Sequence, residues 1–92
     1  MIDRVRALVR TYLAMLGVDS VEEPDVVLQH DTGSRWLGRW SIKWRGGLPG
    51  RPVIQIQRAV LADQRTLERV VAHEVVHHVQ YLRMDPAEIQ LV

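Results

Sequence analysis

Residues 66–82, TLERVVAHEVVHHVQYL, contain the helical pattern on which the predicted fold depends. Asp63 is a suitable N-cap, so we expect a helix from about Gln64 to Met84. Apolar residues point in most directions around this helix, which predicts burial on nearly all sides. They are Val70, Val71, Ala72, Val75, Val76, Val79 and Leu82.

The same stretch contains the pattern HExxH, as His73-Glu74-Val75-Val76-His77. At about 100° per residue, a step of four places two side chains about 40° apart on one face, so both imidazoles can converge on one point. Two neutral imidazoles can share one zinc ion there, while the adjacent Glu74 can reach a water molecule on the metal. The spacing predicts two zinc ligands, His73 and His77, and a general base, Glu74.

The motif and the polar residues near it also allow roles without zinc. HExxH can arise by chance in a chain with four His and five Glu, and a Glu74–histidine hydrogen bond in a metal-free core is the alternative to zinc. His78 points about 100° away from His77, which predicts a core histidine or one that supports a ligand. Tyr81 could donate to a substrate oxygen or only pack, and His30 is expected on the surface.

The segments before this helix predict one more helix and three strands. Ile2–Leu16 has apolar residues at steps of three and four, and Gly17 follows where a left-handed C-cap would lie. Trp36–Trp44 alternates apolar with polar residues, as a half-buried strand does. The three strands are Val26–Leu28, which is followed by a turn at Asp31–Ser34, then Trp36–Trp44, and Val53–Gln57 in a loose hairpin with it. The predicted class is α+β with a three-stranded, mostly antiparallel sheet.

Length and composition restrict the class of protein. The 92 residues fit a single domain, 1–92, and the formal charge of +1 gives no general attraction to nucleic acid or membranes. Cysteine is absent, so His and carboxylates are the only strong metal ligands. No window approaches the roughly 18 apolar residues of a membrane span, and none has the pattern of a signal peptide. We expect a soluble, cytoplasmic protein of undetermined oligomeric state.

Residues 66–78 resemble the active-site helix of the zincin metallopeptidases. The order of helix, strands and HExxH helix is also similar to that of zincins, over about residues 1–84. Among them the chain is most similar to the compact SprT-like, minigluzincin and ImmA-like domains, which are also small and cytosolic. The expected fold is therefore a small zincin-like domain.

The resemblance implies a zinc metallopeptidase that acts on peptide or protein substrates. His73 and His77 would hold Zn²⁺, and Glu74 would activate a zinc-bound water and pass its proton to the leaving amine. Val53–Gln57 would be the edge strand along which an extended substrate pairs, with Gln55 and Gln57 facing away from the core.

A catalytic zinc usually has three protein ligands, and HExxH supplies two. The metzincin extension would need Gly at position 80 and His at position 83, where this chain has Gln80 and Arg83. Glu88 is the only glutamate after the motif, but in Asp85-Pro86-Ala87-Glu88 it also fits the capping glutamate of a helix start. We expect either Glu88 or a residue beyond Val92, in a chain truncated at its C terminus, to be the third ligand.

Two other functions are compatible with the sequence. Basic residues alternate with tryptophans between Arg35 and Arg45, which could bind nucleic acid through phosphate contacts and stacking. The same alternation predicts that Trp36, Trp40 and Trp44 face the core and that the basic side chains form a solvated face. A zincin-like domain without turnover is the third hypothesis, because two histidines alone bind zinc weakly.

Overall fold

The computed structural model describes residues 2–18, 23–30 and 35–83. The described chain is α+β, as predicted. Its elements are α1 (Ile2–Met15), β1 (Asp25–Gln29), β2 (Gly38–Ser41), β3 (Trp44–Arg45), β4 (Leu48–Pro49), β5 (Val53–Gln57), a 3₁₀ helix (Arg58–Ala62) and α2 (Gln64–Arg83). The predicted turn at Asp31–Ser34 and the predicted helix start at Asp85–Glu88 lie outside the described residues, so Glu88 is not placed.

The main sheet has three strands in the order β1-β5-β2. β1 pairs with β5 in parallel and β2 pairs with β5 antiparallel, so the sheet is mixed and not mostly antiparallel as predicted. The predicted hairpin between the second strand and Val53–Gln57 is confirmed. However, Val53–Gln57 is the central strand, and the prediction that it forms the edge is wrong. The sequence pattern could not reveal this, because β1 adds to its other side in parallel from a distant part of the chain.

The predicted strand Trp36–Trp44 is divided in two. Only Gly38–Ser41 pairs with β5. Trp44 instead pairs with Pro49 in a separate ribbon, whose turn is formed by Gly46 and Gly47 at φ 57° and 79°. Two positive φ values suit the tight turn of a two-residue hairpin. Trp44 is 42% exposed on this ribbon, so its predicted place in the core is wrong.

Both helices cover one face of the sheet. Side chains on this face include Val26, Ile54 and Ile56, which are buried against α1 and α2. The opposite face is more open: Val27 is 41% exposed, and Arg39 donates to Gln55 there. Gln55 is half-buried and Gln57 is buried, so of the two glutamines only Gln55 faces outward to a substantial extent. The fold is a two-layer arrangement of helices on a sheet.

α1 ends as predicted. Gly17 has φ 76°, the left-handed conformation that glycine adopts most easily. The Gly17 N–H donates to the Ala14 carbonyl and the Val18 N–H to the Leu13 carbonyl, which is the Schellman pattern of a helix C terminus. Local sequence therefore fixes where α1 ends.

α2 begins at the predicted cap. The Asp63 carboxylate accepts hydrogen bonds from the Thr66 hydroxyl at 2.7 Å and the Arg65 N–H at 3.1 Å. These bonds, chiefly the one from Thr66, hold the pKa of Asp63 below its usual value of 3.8. The bond from Arg65 satisfies an N–H group that the first helical turn would otherwise leave unpaired.

α2 is buried on one side and not on nearly all sides as predicted. Its buried residues follow helical spacing and are Leu67, Val71, Glu74, Val75, His78 and Val79. Val76 is 46% exposed, because a helix in a two-layer fold has a protein layer on one side only. In the described residues, neither helix is both long and apolar enough to cross a membrane.

Candidate functional site

His73 and His77 lie together on the exposed side of α2. Their Nε2 atoms are 3.1 Å apart, and their rings meet edge to face with centroids 4.7 Å apart. The step of four residues produces this arrangement, because it stacks the two side chains one turn apart. The structure therefore brings together the two predicted zinc ligands.

The spacing of these nitrogens suits a shared zinc ion. Two imidazoles bound to one tetrahedral zinc, each at about 2.0–2.1 Å, have their nitrogens about 3.3 Å apart. The observed 3.1 Å is close to this value. The same distance also fits a hydrogen bond between a protonated and an unprotonated ring nitrogen. Both rings are exposed, so a metal ion could reach them.

Glu74 differs from its histidine neighbours in being buried, at 6% exposure. It nevertheless lines a cleft of about 370 Å³ together with His73. Within the described residues its carboxylate has no hydrogen-bond or ion-pair partner. The metal-free alternative, a Glu74–histidine pair in the core, is therefore absent from this part of the chain. Glu74 therefore lies at the inner wall of the cleft without a partner among the described residues.

The cleft lies between α2 and the segment that leads into β2. The strand side contributes Trp36, Leu37 and Gly38, and the helix side contributes Arg69, Val70, His73 and Glu74. Most of these residues are apolar, and the polar groups are grouped on the helix. An apolar cleft with a few convergent polar groups is the usual form of a binding site.

Gly38 allows the strand to approach the helix closely. A Cβ atom at this position would overlap Cγ1 of Val70 and would lie 3.2 Å from Cδ1 of Ile56 and 3.3 Å from Cγ of Glu74. Any larger residue would therefore push β2 away from α2 or displace the Glu74 side chain. The absence of a side chain at Gly38 sets the width of the cleft beside Glu74.

A partly buried aromatic cluster holds β2 on α2 one turn beyond the site. The Trp40 indole N–H donates to Nδ1 of His78 at 3.1 Å, so the neutral His78 ring carries its proton on Nε2. His78 is fully buried, as expected of a core histidine. Tyr81 packs on Trp40 with ring centroids 5.1 Å apart, so its packing role is the one observed.

We expect Trp40→Phe to lower the free energy of unfolding by about 1–3 kcal/mol, because the Nδ1 acceptor of buried His78 loses this donor. Trp44→Phe is the matched control. It removes the same indole N–H from an exposed ring, and should change stability by less than about 0.5 kcal/mol. Urea unfolding followed by far-ultraviolet circular dichroism measures both. Equal effects of the two substitutions would mean that the Trp40–His78 bond does not stabilise the fold.

The described residues do not complete a metal-ligand set. In residues 2–18, 23–30 and 35–83, no group of three His, Cys, Asp or Glu side chains is placed to hold a metal ion. Glu88, the candidate for third ligand, lies outside these residues. His30 is exposed just after β1 and does not line the cleft.

The basic and tryptophan-containing segment does not form a single stacking surface. Trp40 is half-buried against His78, whereas Trp44 lies on the ribbon. Trp36 lines the cleft, and the Arg39 guanidinium lies over its ring, 5.2 Å from the centroid. Trp36 and Arg39 are therefore in contact, and the predicted separation of tryptophans from basic groups fails here because Trp36 lies before β2 begins.

Comparison with known proteins leaves the chain unassigned. No family model, curated protein or solved structure matches it. The zincin resemblance therefore depends on the HExxH motif and on the order of elements.

Sequence reasoning missed Gly38 and Arg69 as residues of the cleft. A glycine inside a strand pattern often marks a close approach of another element, and this signal was available at Gly38. Arg69 precedes His73 by four residues and so shares its face of α2. Gly38 and Arg69 lie in one cleft with Trp36 because β2 pairs with β5.

Proposed function

We propose that this protein is a zinc-dependent metallopeptidase with a zincin-like fold. The observation that carries the proposal is the convergence of the His73 and His77 Nε2 atoms, 3.1 Å apart, beside a cleft that Glu74 also lines. The two nitrogens would be zinc ligands, and Glu88 is the candidate for the third. The buried carboxylate is the general base.

The reaction is hydrolysis of a peptide bond by water. When bound, zinc would supply Lewis acidity, which polarises the scissile carbonyl and makes water easier to deprotonate. The Glu74 carboxylate accepts a proton as the water oxygen attacks the carbonyl carbon, and it donates that proton to the amine nitrogen as the C–N bond breaks. Burial at the cleft wall keeps this carboxylate away from competing partners and bulk water.

The substrate would pair with β2 and not with Val53–Gln57. The Gln57 N–H donates to the Leu37 carbonyl. In an antiparallel pair every second residue hydrogen-bonds to the partner strand, so the backbone groups of Arg39 and Ser41 also face β5. The backbone groups of Gly38 and Trp40 then face the outer edge of β2, along which no other described strand pairs. They can hydrogen-bond an extended peptide next to Glu74, which gives recognition of the backbone.

The metal test uses the chain purified without a histidine tag. We expect near-stoichiometric zinc in the wild type, and a sharp loss in His73→Ala and His77→Ala, because each removes one of two converging ligands. Zinc at a hundredfold excess over its Kd should raise the unfolding free energy of the wild type by about 2.7 kcal/mol and should not stabilise either variant. Metal analysis and thermal unfolding with and without zinc measure these effects.

His30→Ala is the matched control for this test. It removes an exposed histidine outside the cleft and should retain zinc binding and the response to zinc. Zinc-free wild-type protein whose stability is unchanged by zinc and by both histidine substitutions would rule out the metal site.

A further inference from the structure

The cleft has one positively charged side chain that the hydrolytic reaction does not use. Of the seven described residues that line it, Arg69 and Glu74 are the only Arg, Lys, Asp or Glu. Arg69 is exposed on α2, one turn before His73 on the same face. A guanidinium in this position would contact a ligand bound in the cleft, next to the scissile bond.

The charge of Arg69 contributes, as the smallest of several causes, to the lowered pKa of Asp63, but the two side chains form no ion pair. In the described residues Arg69 takes part in no hydrogen bond or ion pair. Nearby Glu68 accepts a hydrogen bond from Gln64 at 3.0 Å, and the Asp63 carboxylate caps the helix. The Arg69 guanidinium therefore retains its donors for a ligand, and the carboxylate is the group of a peptide that matches its planar geometry.

The strand side of the cleft is an apolar wall. The Arg39 guanidinium lies over the ring of Trp36, and the Trp36 ring lines the cleft. Leu37 is 52% exposed beside it. A ligand in this cleft therefore meets apolar surface on the strand side and one guanidinium, that of Arg69, on the helix side.

The distance along α2 shows which part of a substrate Arg69 would contact. Four residues of helix rise about 6 Å, which is the length of about two residues of an extended peptide. A substrate group that binds Arg69 therefore lies about two peptide residues away from the scissile bond, which lies beside His73 and Glu74. Residues two apart in an extended chain share one side, so a side chain there can point toward α2.

We propose that the cleft selects peptides with a carboxylate about two residues from the scissile bond, and that Arg69 is the specificity-determining residue that binds it. The position of the scissile bond rests on the proposed peptidase function. The preference for a carboxylate can be measured by peptide binding, without turnover. The carboxylate is that of an acidic side chain or that of the peptide C terminus.

The test measures binding of fluorescein-labelled peptides by anisotropy to the full chain carrying Glu74→Gln, which is expected to slow turnover by about 10²–10⁴-fold. The peptides share one apolar sequence and carry Glu, Gln or Lys at each position in turn, with an amidated C terminus. A Gln peptide with a free C-terminal carboxylate distinguishes the two sources. We expect the best Glu peptide, or the peptide with a free C terminus, to bind about fivefold more tightly than the amidated Gln peptide.

Charge reversal separates a specific contact from a structural effect. In Arg69→Glu we expect Lys peptides to bind more tightly than Glu peptides, an inversion that a loss of folding would not produce. Arg65→Glu is the matched control, because it makes the same change one turn earlier, outside the cleft, and should keep the original order.

Three results would overturn the inference: no binding of any peptide, equal binding of Glu, Gln and Lys peptides, or an unchanged order in Arg69→Glu. Failure of the proposed function would look different. Wild-type protein that binds carboxylate peptides with the expected preference but cleaves none would reject the peptidase and leave the role of Arg69 supported.

Discussion

Glu74→Gln is expected to reduce peptide cleavage by about 10²–10⁴-fold, the usual contribution of a general acid–base group. The substitution keeps the size and shape of the side chain but removes the proton acceptor. Because Glu74 has no hydrogen-bond or ion-pair partner in the described part of the chain, the change should break no existing interaction. Digestion of a peptide library by purified wild type and variant, followed by mass spectrometry, measures the difference.

The control for this experiment is Glu68→Gln. Glu68 lies on the same helix and bonds to Gln64 outside the cleft, so its amide variant should cleave like the wild type. Zinc content should remain the same in both variants, because neither residue is a proposed ligand. Equal cleavage by wild type and Glu74→Gln would reject Glu74 as the base. Zinc binding without any cleavage by the wild type would instead favour a zincin-like domain without turnover.

Gly38→Ala is expected to lower the free energy of unfolding by about 1–3 kcal/mol, the range for overpacking a close contact. The new Cβ would overlap Cγ1 of Val70, whose β-branched side chain has little rotamer freedom to move aside. It would also lie 3.3 Å from Cγ of Glu74, so the carboxylate should shift by a few tenths of an ångström. We expect cleavage to fall about tenfold as a result of this misplacement. Urea unfolding and peptide digestion measure the two effects.

A double variant tests whether the overlap with Val70 is the cause. Val70→Ala removes the methyl groups that the new Cβ would meet, so Gly38→Ala combined with Val70→Ala should be at least about 1 kcal/mol more stable than the sum of the single effects predicts. Val70→Ala alone is the control and should be destabilised without an equal loss of cleavage. Simple additivity would mean that the close approach of Gly38 to α2 does not account for the destabilisation.

Local sequence determined the two helices and the core of the candidate site. Asp63 caps α2 and Gly17 ends α1 at the positions that the sequence predicts, because both features depend on neighbours within one turn. His73 and His77 meet for the same reason: they are four residues apart on one helix. Interactions of this kind are encoded by spacing alone, so a single sequence is sufficient to predict them.

Only the tertiary structure decided which strand is the edge and what surrounds Glu74. The alternation along Trp36–Trp44 and Val53–Gln57 predicts which side chains share a face of the sheet. It does not predict which strands are neighbours in the sheet. The parallel addition of β1 makes β5 central and leaves β2 as the strand beside α2. Pairing with β5 also ends β2 at Ser41 and so exposes Trp44. Gly38, Trp36 and Arg69 share a cleft because contacts between distant segments place them there, and such contacts depend on the whole fold.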